Sequence, residues 1–231
     1  VAAHFSEVSV KFLRGLKRNN DREWFDARKS IYETELKAPL LAIIDEVNDR
    51  LSKQAPEFVR PATKIAMRIY RDVRFSKNKD PYKTNVAAWW ARQGLEKTSG
   101  GGFYFHFSPD EVMVAAGVYM PEKEQLLAIR RYLLEHHEAF RKVLSARKLK
   151  AQFQPFDGMK MARPPKGFPA DHPAIDLIMQ KQWGVSAQLP LDSALGPGLP
   201  KAIADHFLIA LPMVAMLNEA IVPPAPKPLF L

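Results

Sequence analysis

The chain has 231 residues, a net charge of +9 and a pI near 9.7, with 47% hydrophobic residues. That is ample apolar material for a packed core, and the basic balance points to acidic partners such as nucleic acid, nucleotides or anionic metabolites. There is no cysteine, which excludes disulfides, thiol catalysis and Cys-based metal sites, and no apolar run reaches the roughly 18 residues that a membrane helix needs.

No signal peptide opens the chain, so no membrane role is expected and the cytoplasm is the expected compartment. Phe5 to Lys17 has the period of an amphipathic helix, with Phe5, Val8, Phe12, Leu13 and Leu16 on one stripe. Asn19-Asn20-Asp21 breaks it, and Asp21 caps a second helix that opens with Trp24 and Phe25. That aromatic pair reads as core. Pro39 is expected to start a third helix, whose stripe is Leu40, Ile43, Ile44, Val47 and Leu51. A loop from Pro56 to Thr63 follows.

Lys64 to Phe75 alternates as a strand does: Ile65, Met67, Ile69, Val73 and Phe75 share one face, and Arg68, Tyr70 and Arg74 the other. Arg71 breaks the alternation, so the strand is expected to end or bulge near Tyr70. Ser76 to Pro81 is turn chemistry, and Val86 to Arg92 reads as the returning strand. From Lys64 to Arg92 eight Lys or Arg stand against two Asp, a local +6 of the chain's +9. Arg forks suit phosphate or carboxylate, and Tyr and Asn add neutral hydrogen bonds. The candidate anion-binding set is therefore Arg68, Arg71, Arg74, Lys77, Lys79, Tyr82, Lys83 and Asn85. The competing reading is a salt-bridge lattice, in which the arginines pair with Asp72 and Asp80.

Ser99-Gly100-Gly101-Gly102 lacks the Lys-Ser/Thr of a P-loop and reads as a flexible connection. Phe103 to Ser108 and Glu111 to Tyr119 form a hairpin around Pro109-Asp110. Its expected core face carries Phe103, Phe105, Phe107, Val112, Val114 and Ala116; Tyr104, His106 and Met113 fall on the other. Pro121 is expected at the first position of a helix striped by Leu126, Ile129, Leu133 and Leu134. His136-His137-Glu138 lacks metal-ligand spacing and marks a junction between helices. Phe140 to Leu149 is a basic surface helix. Gln154 to Pro173 is irregular, and Asp171-His172-Pro173 caps a helix running to about Lys181. Lys201 to Val222 is the last helix, with a kink expected at Pro212. The pattern is α+β: a mainly antiparallel sheet of at least four strands with N-terminal and C-terminal helices packed on it. Residues 1–222 read as one domain and 223–231 as a proline-rich tail.

Three stretches carry a family resemblance. They are Asn19-Asn20-Asp21-Arg22-Glu23-Trp24-Phe25-Asp26; Arg71 to Lys77 with Lys79 and Pro81-Tyr82-Lys83-Thr84-Asn85; and Arg163-Pro164-Pro165-Lys166-Gly167-Phe168 with Asp171-His172-Pro173-Ala174-Ile175. In this order they resemble the family catalogued as domain of unknown function 2461, over about Phe5 to Glu219. The resemblance implies one conserved domain type and supplies no activity.

Three functions remain open. A phosphate- or carboxylate-bearing small molecule could sit where Arg68, Tyr70, Arg74, the Lys77–Lys83 loop, His106 and the Arg163–His172 loop converge, with His106 or His172 as the weak candidates for acid/base work. A nucleic acid could lie on the cations, with Tyr82, Trp89, Trp90 or Tyr104 stacking on bases. The basic loop could instead dock an acidic protein without chemistry. No cofactor or metal set is legible. A deep pocket beneath Arg68 and His106 would favour the first reading; a cationic surface with exposed aromatics would favour the second.

Overall fold

The computed structural model describes residues 1–95, 99–156 and 159–222, so the proline-rich tail lies outside the described residues. Helix α1 spans Glu7–Arg18, capped by the Ser6 hydroxyl, which accepts from the Ser9 N–H. Phe5, Val10, Phe12, Leu13 and Leu16 are buried, whereas Val8, expected on that stripe, is 45% exposed. Ser9 takes the centre of the buried line, and its hydroxyl donates to the Glu35 carbonyl at 2.6 Å. That carbonyl stands four residues before Pro39, which has no N–H to give it. Helices α2 (Arg22–Asp26) and α3 (Lys29–Tyr32) follow, then a wide π turn, Glu33–Lys37, that runs directly into α4 (Ala38–Leu51). Pro39 thus lies at the second position of α4 rather than opening a separate helix. The expected stripe from Leu40 to Leu51 is buried.

The segment read as a first strand is not one. Ala62–Ile65 form a short helix, α5. Among the described residues the chain beyond it forms two isolated β-bridges, Ala66 to Ala88 and Tyr70 to Tyr82, and no strand ladder. Strand β1 (Val86–Ala91) is the predicted returning strand, and it pairs instead with β2 (Gly102–Phe107), which pairs with β3 (Val112–Val118). The register is the one the alternation demands: Phe103 faces Ala116, Phe105 faces Val114 and Phe107 faces Val112, and all six are buried.

Helix α6 (Lys123–Leu144) is capped by Glu122, which places Pro121 just outside it, and it bends at His136, where φ is −115°. The two-helix reading of the His136 junction is therefore realised as a kink within one helix. The basic stretch from Phe140 to Leu149 splits between the end of α6 and α7 (Arg147–Gln152), followed by the two-residue strand β4 (Gln154–Pro155). Helix α8 is brief, Ile175–Ile178, and ends before Lys181. Strand β5 (Trp183–Leu189) then enters between β3 and β4, giving a five-stranded antiparallel sheet in the order β1-β2-β3-β5-β4. Gly117, at φ +137°, lets β3 pass close to β5, because a side chain there would strike the Trp183 carbonyl.

Helix α9 (Leu199–Ile221) crosses the core face and contains Pro212. Phe207 stacks on Phe103 and meets Trp90 edge-on, while Phe5 stacks on Phe107. Trp90 donates its indole N–H to Asn48 of α4 at 3.0 Å. α9 is long and apolar enough to span a membrane, but here ten of its residues are buried among the sheet, α4 and α6, as suits a core helix. The fold is α+β, as the sequence pattern required.

Candidate functional site

The cationic stretch is a projecting loop on a rigid base. At the base, the Arg71 N–H donates to the Pro81 carbonyl at 2.9 Å and the Lys83 N–H to the Ile69 carbonyl at 2.8 Å. Tyr82 is 3% exposed and stacks on Phe25, with centroids 4.1 Å apart and planes 15° apart. Asn20 holds Tyr82 from both sides: its amide donates to the Tyr82 carbonyl and its carbonyl accepts from the Tyr82 N–H, each at 3.0 Å. Asp21 accepts from the Trp24 N–H at 2.8 Å and so starts the helix that presents Phe25. The stretch from Asn19 to Asp26 is therefore the foundation of the loop.

Beyond that base, residues 72–80 are largely exposed. Arg74 grips Asp72 with two guanidinium nitrogens, at 3.0 and 2.8 Å. Those hydrogen bonds, helped by the charge of Arg68, hold the Asp72 carboxyl down at about 2. Arg71 approaches Asp80 at 3.8 Å, and Lys79 donates to the Val73 carbonyl at 3.0 Å. The lattice reading is thus realised in part. Exposed pairs of this kind are worth little and open readily. Arg68 and Lys77 have no ion pair among the described residues, while Lys83 and Asn85 lie half-buried at the base.

Phe75 is the outlier. It was expected on the apolar face of a strand, yet it is 94% exposed at the tip, with the Arg74 guanidinium 5.8 Å from its ring. Of the four aromatics offered for stacking, Tyr82, Trp89 and Trp90 are buried at 3%, 7% and 0% exposure, and Tyr104 is half-buried.

Neither His106 nor His172 hydrogen-bonds to this loop among the described residues. His106 is buried on the face of the sheet opposite Phe105, between the Tyr104 hydroxyl at 3.2 Å and Glu111 at 2.9 Å. With Glu111 ionised, Nε2 must donate to it, and Nδ1 accepts from Tyr104. Burial pulls the His106 pKa down against the opposing pull of Glu111. Burial and Glu111 also raise the Tyr104 hydroxyl to about 12, so both rings are neutral at pH 7. Gln188 of β5 completes this cluster from the far side of Glu111, at 3.3 Å. His172 packs against His137 of α6, and its Nδ1 accepts from the Ala174 N–H at 3.1 Å; the expected cap is not made, since α8 has no side-chain cap.

The segment carrying His172 is stapled along α6. Arg141 donates to the Pro173 carbonyl and pairs with Asp176. Arg130, only 7% exposed, donates to the Ile178 and Gln180 carbonyls at 2.8 and 3.1 Å. These contacts belong to the β5 side of the molecule, and the cationic loop belongs to the β1 side. The His172 segment and the cationic loop therefore lie toward opposite edges of the sheet. The glycine run is also accounted for: Gly101 is buried and held at both its N–H and its carbonyl by Asn218 of α9, at 2.8 and 3.0 Å. It is a clamped crossing rather than a loose connection.

Residues 8–216 match the family described as conserved hypothetical protein (DUF2461). The chain belongs to the DUF2461 family. No curated protein matches it. In this DUF2461 chain the three stretches singled out in the sequence have distinct physical roles: one builds the base of the loop, one is the loop, and the third packs against α6.

Sequence reasoning missed Phe75, Glu111, Gln188 and Asn218. For Phe75 a signal was present, since an aromatic between Arg74 and Lys77 that begins a turn has no partner strand to cover it.

Proposed function

We propose that the loop from Arg68 to Lys83 binds a nucleic-acid strand, its cations meeting phosphates and Phe75 stacking on a base. The observation that carries this reading is Phe75, 94% exposed amid Arg71, Arg74, Lys77 and Lys79. Leaving a phenyl ring in water forgoes the gain of burying it, and a cation-flanked ring is the chemistry that single-stranded nucleic acid recognises. A small-molecule site would instead need these side chains to converge on a concavity, whereas they project. The pairs of Arg71 and Arg74 with acids are exposed, so phosphate can displace the carboxylates cheaply.

The test is fluorescence anisotropy of labelled single-stranded and duplex oligonucleotides at two salt concentrations. Affinity for the single strand should fall with salt with a slope of about −0.7 per phosphate contacted. Phe75→Ala should weaken binding by roughly 1–3 kcal/mol, and Lys77→Ala should lower the slope by about 0.7. Arg74→Lys should be nearly silent, because charge rather than fork geometry is being used. Absence of binding at low salt, or indifference to Phe75→Ala, refutes the reading. A large loss with Arg74→Lys, accompanied by nucleotide binding, would restore the discrete-anion site; preference for anionic vesicles over oligonucleotides would point to a membrane surface.

A further inference from the structure

A second cationic block lies at the other end of the sheet. Between Phe140 and Lys166 the sequence carries eight Lys or Arg against one Asp, a local +7 that exceeds the +6 around the loop and leaves the rest of the chain net acidic. Of these eight, only Arg141 is ion-paired among the described residues. Lys142, Arg147, Lys148 and Lys150 are all exposed on the turn from α6 into α7.

An open-sided groove of about 580 Å³ runs beneath this turn. Its lining is mostly apolar: Leu144, Pro155 and Phe156 keep some exposure, beside buried Phe140, Trp183 and Met213. Lys150 and Ser145 stand on its rim. A basic helix surface alone is ordinary, and so is a shallow apolar groove. Here the two coincide: a largely apolar trough in the size range of small-molecule sites, lined by Lys150, which has no ion pair among the described residues, and by Arg141, which pairs with Asp176.

We propose that this groove binds a single-chain amphipathic anion, an alkyl chain carrying a carboxylate or phosphate head. The chain lies along Leu144, Pro155 and Phe156, the apolar lining residues that remain partly exposed, so that their surface leaves water. The head meets Lys150, with Lys142, Arg147 and Lys148 supplying the surrounding positive field. A purely apolar ligand would leave these cations unused, and a bare inorganic anion would leave the trough unfilled. This inference is independent of the nucleic-acid reading, because it uses other residues at the opposite end of the sheet.

The test is isothermal titration of the full chain with dodecyl phosphate, held below its micelle concentration, against dodecanol and inorganic phosphate. Dodecyl phosphate should bind at one site, with each comparator at least about tenfold weaker. Lys150→Glu should weaken binding by about tenfold or more, and Ser145→Trp, which walls off the groove from an exposed position, should abolish it with an unchanged melting temperature. Equal affinity for dodecanol overturns the proposal, as does wild-type binding by both variants. So does binding seen only with micelles or anionic vesicles, which would assign the face to a lipid surface.

Discussion

Replacing Asn218 by leucine isolates the clamp on the glycine run. The side chain is 1% exposed and makes two hydrogen bonds to one residue, accepting from the Gly101 N–H at 2.8 Å and donating to its carbonyl at 3.0 Å. Leucine keeps the branched heavy-atom skeleton and removes both partners. Each orphaned buried group costs about 1–3 kcal/mol, so Asn218→Leu should cost about 4 kcal/mol. For a chain of this size that lowers Tm by roughly 8–16 °C. Urea melts should show a lower midpoint with an unchanged m-value. Gly101→Ala attacks the same contact from the other side, because a Cβ there would lie 2.9 Å from Asn218 Oδ1. Combined with Asn218→Ala, which opens that space, its cost should fall by at least about 1 kcal/mol, a coupling that a double-mutant cycle reads directly. A loss below about 1 kcal/mol for Asn218→Leu, or strict additivity in the cycle, would refute the reasoning and free the glycine backbone for another ligand.

Phe105→Ala, at a fully buried site on the core face, should cost on the order of 3–5 kcal/mol in denaturant melts. Asp72 should titrate at about 2 by carboxyl NMR and return toward 3.8 in Arg74→Gln. Because its folded pKa is depressed, what it contributes is present above the unfolded value and is lost as pH falls toward 2. His106 is also depressed in the fold, so the unfolded chain takes up its proton first, and stability should decline as pH drops below about 6.5. His106→Gln should flatten that part of the urea-midpoint profile between pH 8 and pH 5; an unchanged profile would count against a buried, neutral ring.

The hairpin was legible because its information is local. Phe103, Phe105 and Phe107 alternate, Pro109-Asp110 turns the chain, and Val112, Val114 and Ala116 alternate back, so register and core face follow from period alone. The stretch from Ile65 to Phe75 has nearly the same alternation and forms no ladder. Its neighbours are fixed by distant residues, Asn20 and Phe25 at one point and Ala88 at another, and no local pattern encodes those. Strand β5 did carry a signal, Trp183-x-Val185-x-Ala187-x-Leu189, hidden behind a long irregular segment and interrupted by Gly184. At the candidate site the charge was readable and the shape was not: period-2 reasoning placed Phe75 inside, and only the Tyr82 anchor reveals that the chain leaves the sheet before reaching it. The third stretch looked like a ligand loop because it is cationic, although Arg130 and Arg141, outside it in sequence, decide where it packs.

The strand order has a consequence for biosynthesis. β3 ends at Val118 and its outer neighbour β5 begins only at Trp183, with α6, α7 and α8 made in between. At roughly 5–20 residues per second, the β1–β2–β3 meander emerges from the ribosome several seconds before the strand that covers its edge. α9, which seals the aromatic face, arrives later still. During that interval the nascent chain displays an open row of backbone donors and acceptors beside a sheet of phenylalanines, the combination most apt to pair with another chain. Growth at elevated temperature, or a stall within α6, should therefore commit this protein to aggregation during translation, at a stage when the finished molecule's stability offers no protection.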